Sequence, residues 1–394
     1  MISVDDALRQ IGSSLKPLPS VTVPVGEAAG RILAEAVRAK VTQPPTAVSA
    51  MDGYAVNMVA PMTAGTQIRV LGEAPAGRPY VGTLTGGAVR VFTGSAMPTG
   101  ANHVIIQEHV ERHGDTATLT HDQRAARNVR PAGGDFAEGD VLAPALRWLS
   151  PIDLSLLSAA GVVETSVYRR PRIALFANGD ELVPPGKDLA RGQVYESLST
   201  GLLPLLDSWG AEACFLGIAA DRESAVEAMF EAASDADIVV PIGGASVGDY
   251  DVAKAVGRKR FDLYVEKVAV KPGKPVWFGT KAEQAVLGFP GNPASAFVCA
   301  HLFLRPALQA LSGGEPRLDL RTAILDAPLP PNGPREHFMR ASVAEEAEGR
   351  LVCQPAARQD SSLLSTFAAS NALLRRGPNE EARAAGDPVA VLLF

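Results

Sequence analysis

Ile238-Val239-Val240-Pro241-Ile242 runs without a polar residue into Gly243-Gly244-Ala245-Ser246-Val247-Gly248-Asp249-Tyr250-Asp251. A short apolar run that ends in a glycine turn reads as a strand buried on both faces. The same grammar recurs on either side. Residues 172–177 form an apolar strand ending in Asn178-Gly179-Asp180-Glu181. A helix is expected near 199–209, a strand at 212–218, and a helix over 222–233 with Asp221 as its N-cap. Residues 286–289 are another strand, and a long apolar helix follows Asn292. Strands alternating with helices imply right-handed βαβ units and a mostly parallel sheet, here over residues 171–312.

The flanks read differently. Residues 3–15 are a helix capped by Ser3 with Asp6 three residues on, and Val4, Ala7, Leu8, Ile11 and Leu15 share one face. A second short helix is expected over 27–37. Residues 54–128 hold short strands at 68–70, 88–91, 104–110 and 116–120 between Gly/Pro turns, a small all-β insert. A helix restarts at Ser150-Pro151, with Ser as N-cap and Pro at the first helical position, and Gly161 ends it. Beyond the linker 312–316, period-2 patches at 318–325, 338–343, 351–354 and 389–393 suggest a C-terminal β-barrel. The fold class is therefore multidomain α/β plus β: a central three-layer α/β domain, a small all-β insert, a discontinuous helical linker domain and a C-terminal barrel. The expected boundaries are 1–53 with 129–170, then 54–128, 171–312 and 313–394.

Composition narrows the function. Of 394 residues, 37 are Lys or Arg and 43 are Asp or Glu, a net charge of −6. That balance argues against a nucleic-acid partner, which calls for a basic face. The 37 glycines and 30 prolines point to many shaped loops. The three cysteines, Cys214, Cys299 and Cys353, have no CxxC spacing and fit a reducing compartment. Acids at Asp5 and Asp6 stand where a secretion signal needs bases, and no long unbroken apolar run is evident. A cytoplasmic protein without membrane contact is expected.

In an open α/β sheet, ligands bind beyond the carboxyl ends of the strands. Three stretches there attract anions. Gly243, Gly244, Ser246 and Gly248 offer backbone N–H groups and a hydroxyl, as a phosphate loop or as a plain tight turn. Lys267, Lys271 and Lys274 gather near a strand expected over 267–271, as a polyanion grip or as edge protection. Asn292-Pro293 opens a helix, as an oxyanion site or as a well-made cap. Carboxylates accompany them at Asp180, Glu181, Asp221, Asp249 and Asp251. Asp251 would repel a bare phosphate, but suits one bridged by Mg²⁺. Asp221 reads equally as a helix cap or as a metal ligand.

The chain also carries, in order, Ser49-Ala50-Met51-Asp52-Gly53-Tyr54-Ala55-Val56, the Gly243–Asp251 stretch, Lys271-Pro272-Gly273-Lys274-Pro275 and Pro290-Gly291-Asn292-Pro293. This series resembles the molybdopterin molybdenumtransferase family, which includes the C-terminal domain of gephyrin, along nearly the whole chain. The resemblance implies that adenylylated molybdopterin and molybdate yield molybdenum cofactor and AMP with Mg²⁺, the last step of cofactor assembly. It implies a four-domain homodimer with a composite cleft, and contact with the adenylyltransferase of the preceding step. It places Asp52, Asp221, Asp251, Lys267 and Lys271 at catalytic positions, with Asp221 and Asp251 on the metal. Thr93 and Glu181 also fall on active-site positions, while Lys274, Pro275, Ser295, Arg340 and Ser361 fall where molybdate is held. There are departures: Val48 stands for a polar residue, Asn178 for the usual Thr, and Glu196-Ser197-Leu198 for a stretch that commonly reads Asp-Ser-Asn. Two alternatives are the adenylyltransferase itself, whose turn typically reads Gly-Gly-Thr-Gly, and a non-catalytic gephyrin-like scaffold.

Overall fold

The computed structural model describes residues 1–244, 252–346 and 349–394. The chain divides into two compact units, residues 1–21, 30–34 and 166–394, and residues 22–29 and 35–165.

The larger unit is built on a six-stranded sheet. Its strands are β1 (Arg172–Asn178), β2 (Glu212–Ala219), β3 (Ile238–Ile242), β4 (Asp262–Val265), β5 (Trp277–Lys281) and β6 (Gln284–Gly288), in the order β2-β1-β3-β6-β5-β4. The first three pairings are parallel, and the β5–β6 and β4–β5 pairings are antiparallel. Alternation along the strands feeds two cores. Ile173, Leu175, Ile238 and Val240 face α1 (Val4–Ser14), α2 (Leu198–Ser208) and the long helix after Asn292. Ala174, Phe176 and Val239 face α3 (Glu223–Ala232) and α4 (Val252–Arg260). Each fully buried Leu or Phe in these layers contributes roughly 1.5–3 kcal/mol, so a helix-sheet-helix sandwich is the stable solution.

α1 carries the expected capping box between Ser3 and Asp6. The long apolar helix consists of α5 (Pro293–Cys299), a π-helical turn (Ala300–Leu304) and α6 (Arg305–Leu311). Pro293–Leu311 is long and apolar enough to cross a membrane by length and composition, but 83% of that window is buried inside the protein. Its hydrophobicity is that of a central helix covering a sheet.

Strands β7 (Leu320–Leu325), β8 (Glu336–Glu345), β9 (Leu351–Pro355), β10 (Ala372–Arg376) and β11 (Pro388–Leu393) close into a barrel, in the order β8-β9-β7-β11-β10 and back to β8. β10 was not anticipated: Ala-Leu-Leu-Arg-Arg has no period-2 alternation because Arg376 is itself buried.

The smaller unit holds a six-stranded sheet with a core that includes Tyr54, Val56, Val70, Ala88, Ile105 and Leu119. The strand expected over 104–110 is two strands: His103–Ile106 and Val110–His113 stand at opposite edges of this sheet, joined by a 3-10 turn at Gln107–His109. Ser150 caps Pro151–Ala159 as expected, and Gly161 follows at φ +77°.

Residues 27–37 do not form the expected helix. One 3-10 turn spans Val25–Glu27, Gly30 takes φ +68°, and Leu33 bridges in extended form to Val167. A glycine in the left-handed region stops helix propagation.

Candidate functional site

β2 lies to one side of β1 and β3 to the other, so the chain reverses direction across the sheet at β1. The loops leaving β1 and β3 therefore frame the crevice where α/β sheets take ligands. A cavity of about 560 Å³ opens there and brings together Glu181, Gly243, Gly244, Pro275 and Asn292 from the sequence-derived set. A larger hollow of about 640 Å³, lined largely by alanines and by Leu203, lies where α2 and α3 end. Helix C-termini disfavour anions, so it does not suit a phosphate ligand.

Gly243 and Gly244 adopt φ +93° and +58°. A Cβ on Gly243 would lie 2.4 Å from the Asn178 carbonyl oxygen, and one on Gly244 would lie 2.4 Å from Asn178 Oδ1. Only glycine lets the turn seat against the end of β1. The Asn178 Nδ2 group donates to the carbonyls of Ala219 (3.2 Å) and Ala220 (3.3 Å), which fixes the amide. Its Oδ1 is buried with no partner among the described residues. Ser246, Gly248, Asp249 and Asp251 lie outside the described residues.

Glu196, also on the cavity wall, is buried. Its carboxylate accepts the backbone N–H groups of Leu198 (2.8 Å) and Ser199 (3.0 Å) and the Ser199 hydroxyl. The N-terminus of α2 is thereby neutralised from within.

Asp221 is not the cap of α3: Arg222 holds that position, without a side-chain bond. Instead, the Asp180 N–H donates to Asp221 Oδ2 (3.3 Å) and the Asp221 N–H donates to Asp180 Oδ1 (3.1 Å). These reciprocal bonds hold two carboxylates side by side. Among the described residues no group of three or more His, Cys, Asp or Glu could hold a metal. Two hard oxygen donors do fit Mg²⁺, which keeps several waters and takes one or two carboxylates plus phosphate oxygens.

Lys267, Lys271 and Lys274 are all exposed, while Val268 and Val270 point inward. The regular strand here is shorter than expected, only Val270–Lys271, which pairs with β8 so that Lys271 stands opposite His337. The His337 imidazole is pushed down to about 3, first by burial and then by Lys271, Arg340, Arg376 and Arg335. Burial dominates that depression, and the four cations add to it.

Asn292 and Pro293 start α5 as expected, but Asn292 makes no capping bond. Its Nδ2 donates to Ser361 Oγ (3.3 Å), and the Ala294 N–H donates to the Ser361 carbonyl (3.1 Å). Ser361 thus covers the helix N-terminus, with Ser295 buried in the first turn. Arg340 is fully buried. Its Nη2 donates to the Asp360 carbonyl (2.9 Å), while Nε and Nη1 have no partner among the described residues. A buried guanidinium with two idle donors is prepared for an oxyanion. The loop residues Gln359 and Asp360 went unnoticed in the sequence, where no periodicity marks them.

In the smaller unit, Asp52 Oδ1 accepts the Thr93 N–H (2.7 Å) and the Thr93 hydroxyl (2.9 Å). These bonds, the backbone one foremost, hold the Asp52 carboxyl below its usual range.

Models of three family regions match the chain: the MoeA N-terminal region (domain I and II) over residues 2–161, the "Probable molybdopterin binding domain" over 174–310, and the MoeA C-terminal region (domain IV) over 322–394. The chain is 33% identical over 401 residues to a molybdopterin molybdenumtransferase of Haemophilus influenzae, covering all of this chain and 99% of that one. It is 33% identical over 388 residues to molybdopterin molybdenumtransferase 2 of Mycobacterium tuberculosis, covering 95% of each. A crystal structure of the molybdopterin biosynthesis moeA protein from Pyrococcus horikoshii OT3 superposes with a TM-score of 0.83 at 27% identity, covering both chains fully.

Proposed function

The chain belongs to the molybdopterin molybdenumtransferase family, transferases of the final step of molybdenum cofactor biosynthesis, and from that premise we propose how its residues divide the work. The cavity at the ends of β1 and β3 takes adenylylated molybdopterin, and the buried Arg340 takes molybdate. The products are molybdenum cofactor and AMP.

Gly244 presents its backbone N–H to the pyrophosphate, Gly243, whose own N–H is held by the Phe289 carbonyl (3.0 Å), lets the turn seat against β1, and Ser246 and Gly248 add donors. Lys267 and Lys271 supply positive charge as the phosphate ester breaks. Glu181 contacts the substrate, and Thr93, bonded to Asp52, acts with the Asp52 loop. Asp221 and Asp251 would hold Mg²⁺, which would supply positive charge to offset that of the pyrophosphate. Arg340, Ser295, Ser361, Lys274 and Pro275 hold molybdate beside the dithiolene, and Asn292 helps to seat the loop that carries Ser361. Holding both reactants in one crevice couples metal insertion to AMP release. In the same reading the enzyme is a cytoplasmic homodimer, the Asp52 loop serves the second copy, and the adenylyltransferase of the preceding step delivers the substrate.

The observation that carries this reading is the fully buried Arg340 guanidinium with Nε and Nη1 unpaired among the described residues. The test supplies adenylylated molybdopterin, Mg²⁺ and molybdate, and follows AMP and active cofactor. AMP release dependent on molybdate supports insertion. Consumption of ATP with free molybdopterin would instead mark an adenylyltransferase, and no turnover in either arm would mark a scaffold.

A further inference from the structure

Along β8, one edge of the strand is hydrogen-bonded in pieces. Val270–Lys271 pairs with residues 336 and 337, and β9 pairs from Ala341 onward. Arg340 falls in the gap, where its carbonyl still accepts the Ala356 N–H (2.9 Å) and its own N–H meets no strand. The Gln359 side chain supplies the rest of what a strand neighbour would. Its Oε1 accepts the Arg340 N–H (3.0 Å), and its Nε2 donates to the carbonyls of Arg340 (2.9 Å) and Ala356 (2.8 Å). A primary amide carries a donor and an acceptor on neighbouring atoms and so can serve one residue's N–H and C=O together.

The residues after Gln359 run from the barrel to the helix. The Asp360 carbonyl takes Arg340 Nη2 (2.9 Å). The Asp360 carboxylate turns back to the N–H (2.9 Å) and hydroxyl (2.6 Å) of Ser362. Ser361 reaches the start of α5 through Asn292 and the Ala294 N–H. Residues 359–362 are thus a strap over Arg340. Gln359 fixes one end, and the guanidinium keeps two donors idle beneath it.

We propose that Gln359 is a positioning residue for the oxyanion subsite: by bonding the Arg340 backbone on both sides, it sets the guanidinium and the Ser361 strap in the geometry that receives molybdate. This rests on the assignment of Arg340 to molybdate made above. The Gln359 amide is spent on the backbone of Arg340 and Ala356, so its effect is expected on the molybdate requirement rather than on AMP binding.

The test uses the full chain with Gln359→Leu, Gln359→Glu and Arg340→Ala, each checked for folding by circular dichroism. Molybdate and AMP are titrated separately by calorimetry, and AMP release is measured against molybdate concentration. Both Gln359 variants are expected to raise the molybdate requirement about tenfold or more, with AMP affinity and the rate at saturating molybdate within about threefold of wild type. The Glu variant keeps the bond from the Arg340 N–H but adds negative charge, so it should be the worse of the two. If Arg340→Ala leaves the molybdate requirement unchanged, the underlying assignment of Arg340 fails. If Arg340→Ala raises it and both Gln359 variants do not, only the positioning role fails. Equal losses in molybdate affinity, AMP affinity and maximal rate, or failure of both variants to fold, would make Gln359 a general structural residue and overturn the proposal.

Discussion

Replacing Arg340 by Met separates stability from function with opposite signs. In the ligand-free protein the guanidinium is buried, makes one hydrogen bond, to Asp360, and leaves Nε and Nη1 unpaired among the described residues. Each orphaned buried donor costs about 1–3 kcal/mol, while the one bond from a charged donor returns about 1.5–3 kcal/mol. Arg340→Met removes both orphans and that bond and keeps most of the apolar stem. Ligand-free stability should therefore hold or rise, by up to ~2 kcal/mol. Molybdate binding should fall steeply, because two charge-assisted bonds at about 1.5–3 kcal/mol each amount to roughly 100-fold or more. Urea denaturation with and without molybdate reads both quantities. The expected pattern is an unchanged or higher midpoint without ligand, and no further rise when molybdate is added. A loss of ~3 kcal/mol or more without ligand, with the molybdate response intact, would mean that the guanidinium braces the barrel, and would refute the reasoning.

His301 and His337 are both pushed down to about 3, chiefly by burial. Each is neutral in the fold and protonates near 6.5 when unfolded, so its stabilising share is full above that pH. The share drains away as pH falls toward 3, at up to ~1.4 kcal/mol per unit for each ring. His301→Phe, which keeps a ring against Trp209 and Phe394, should shrink the drop in urea midpoint between pH 7 and 5; an unchanged drop would argue against it. Thr93→Val removes the hydroxyl but not the backbone bond to Asp52, so an NMR titration should find the Asp52 carboxyl raised yet still below its ordinary range. Gly244→Ala forces a Cβ onto Asn178 Oδ1 at φ +58° and should cost roughly 1–3 kcal/mol with loss of AMP binding; wild-type calorimetry would count against a fixed turn.

What was legible in the sequence follows from which signals are local. Buried strands, capping boxes and Pro at the first helical turn are written in adjacent residues, so the α/β sheet, α1 and the Ser150 cap were all readable. Gly243 and Asn292 were readable as neighbours on one cavity because strand ends dictate where loops meet. The rest depends on tertiary choices. Asp221 looks like a cap, yet bonds with Asp180 across a loop. Asn292 looks like a cap, yet turns to Ser361, 69 residues away. β10 lacks alternation because a buried arginine occupies a core position. Residues 104–110 carry one apolar pattern but serve both edges of a curled sheet. Gln359 mimics a strand neighbour with its side chain, and no spacing encodes that.

The central claim is that one crevice of this chain grips a pyrophosphate ester while the buried Arg340 holds molybdate nearby. Crystals soaked with AMP and molybdate, recorded at the molybdenum absorption edge, address it directly. An anomalous peak within bonding reach of Arg340, Ser295 and Ser361, with AMP phosphate at the Gly243-Gly244 turn, is the predicted result. A peak remote from Arg340, or AMP seated away from that turn, would contradict it.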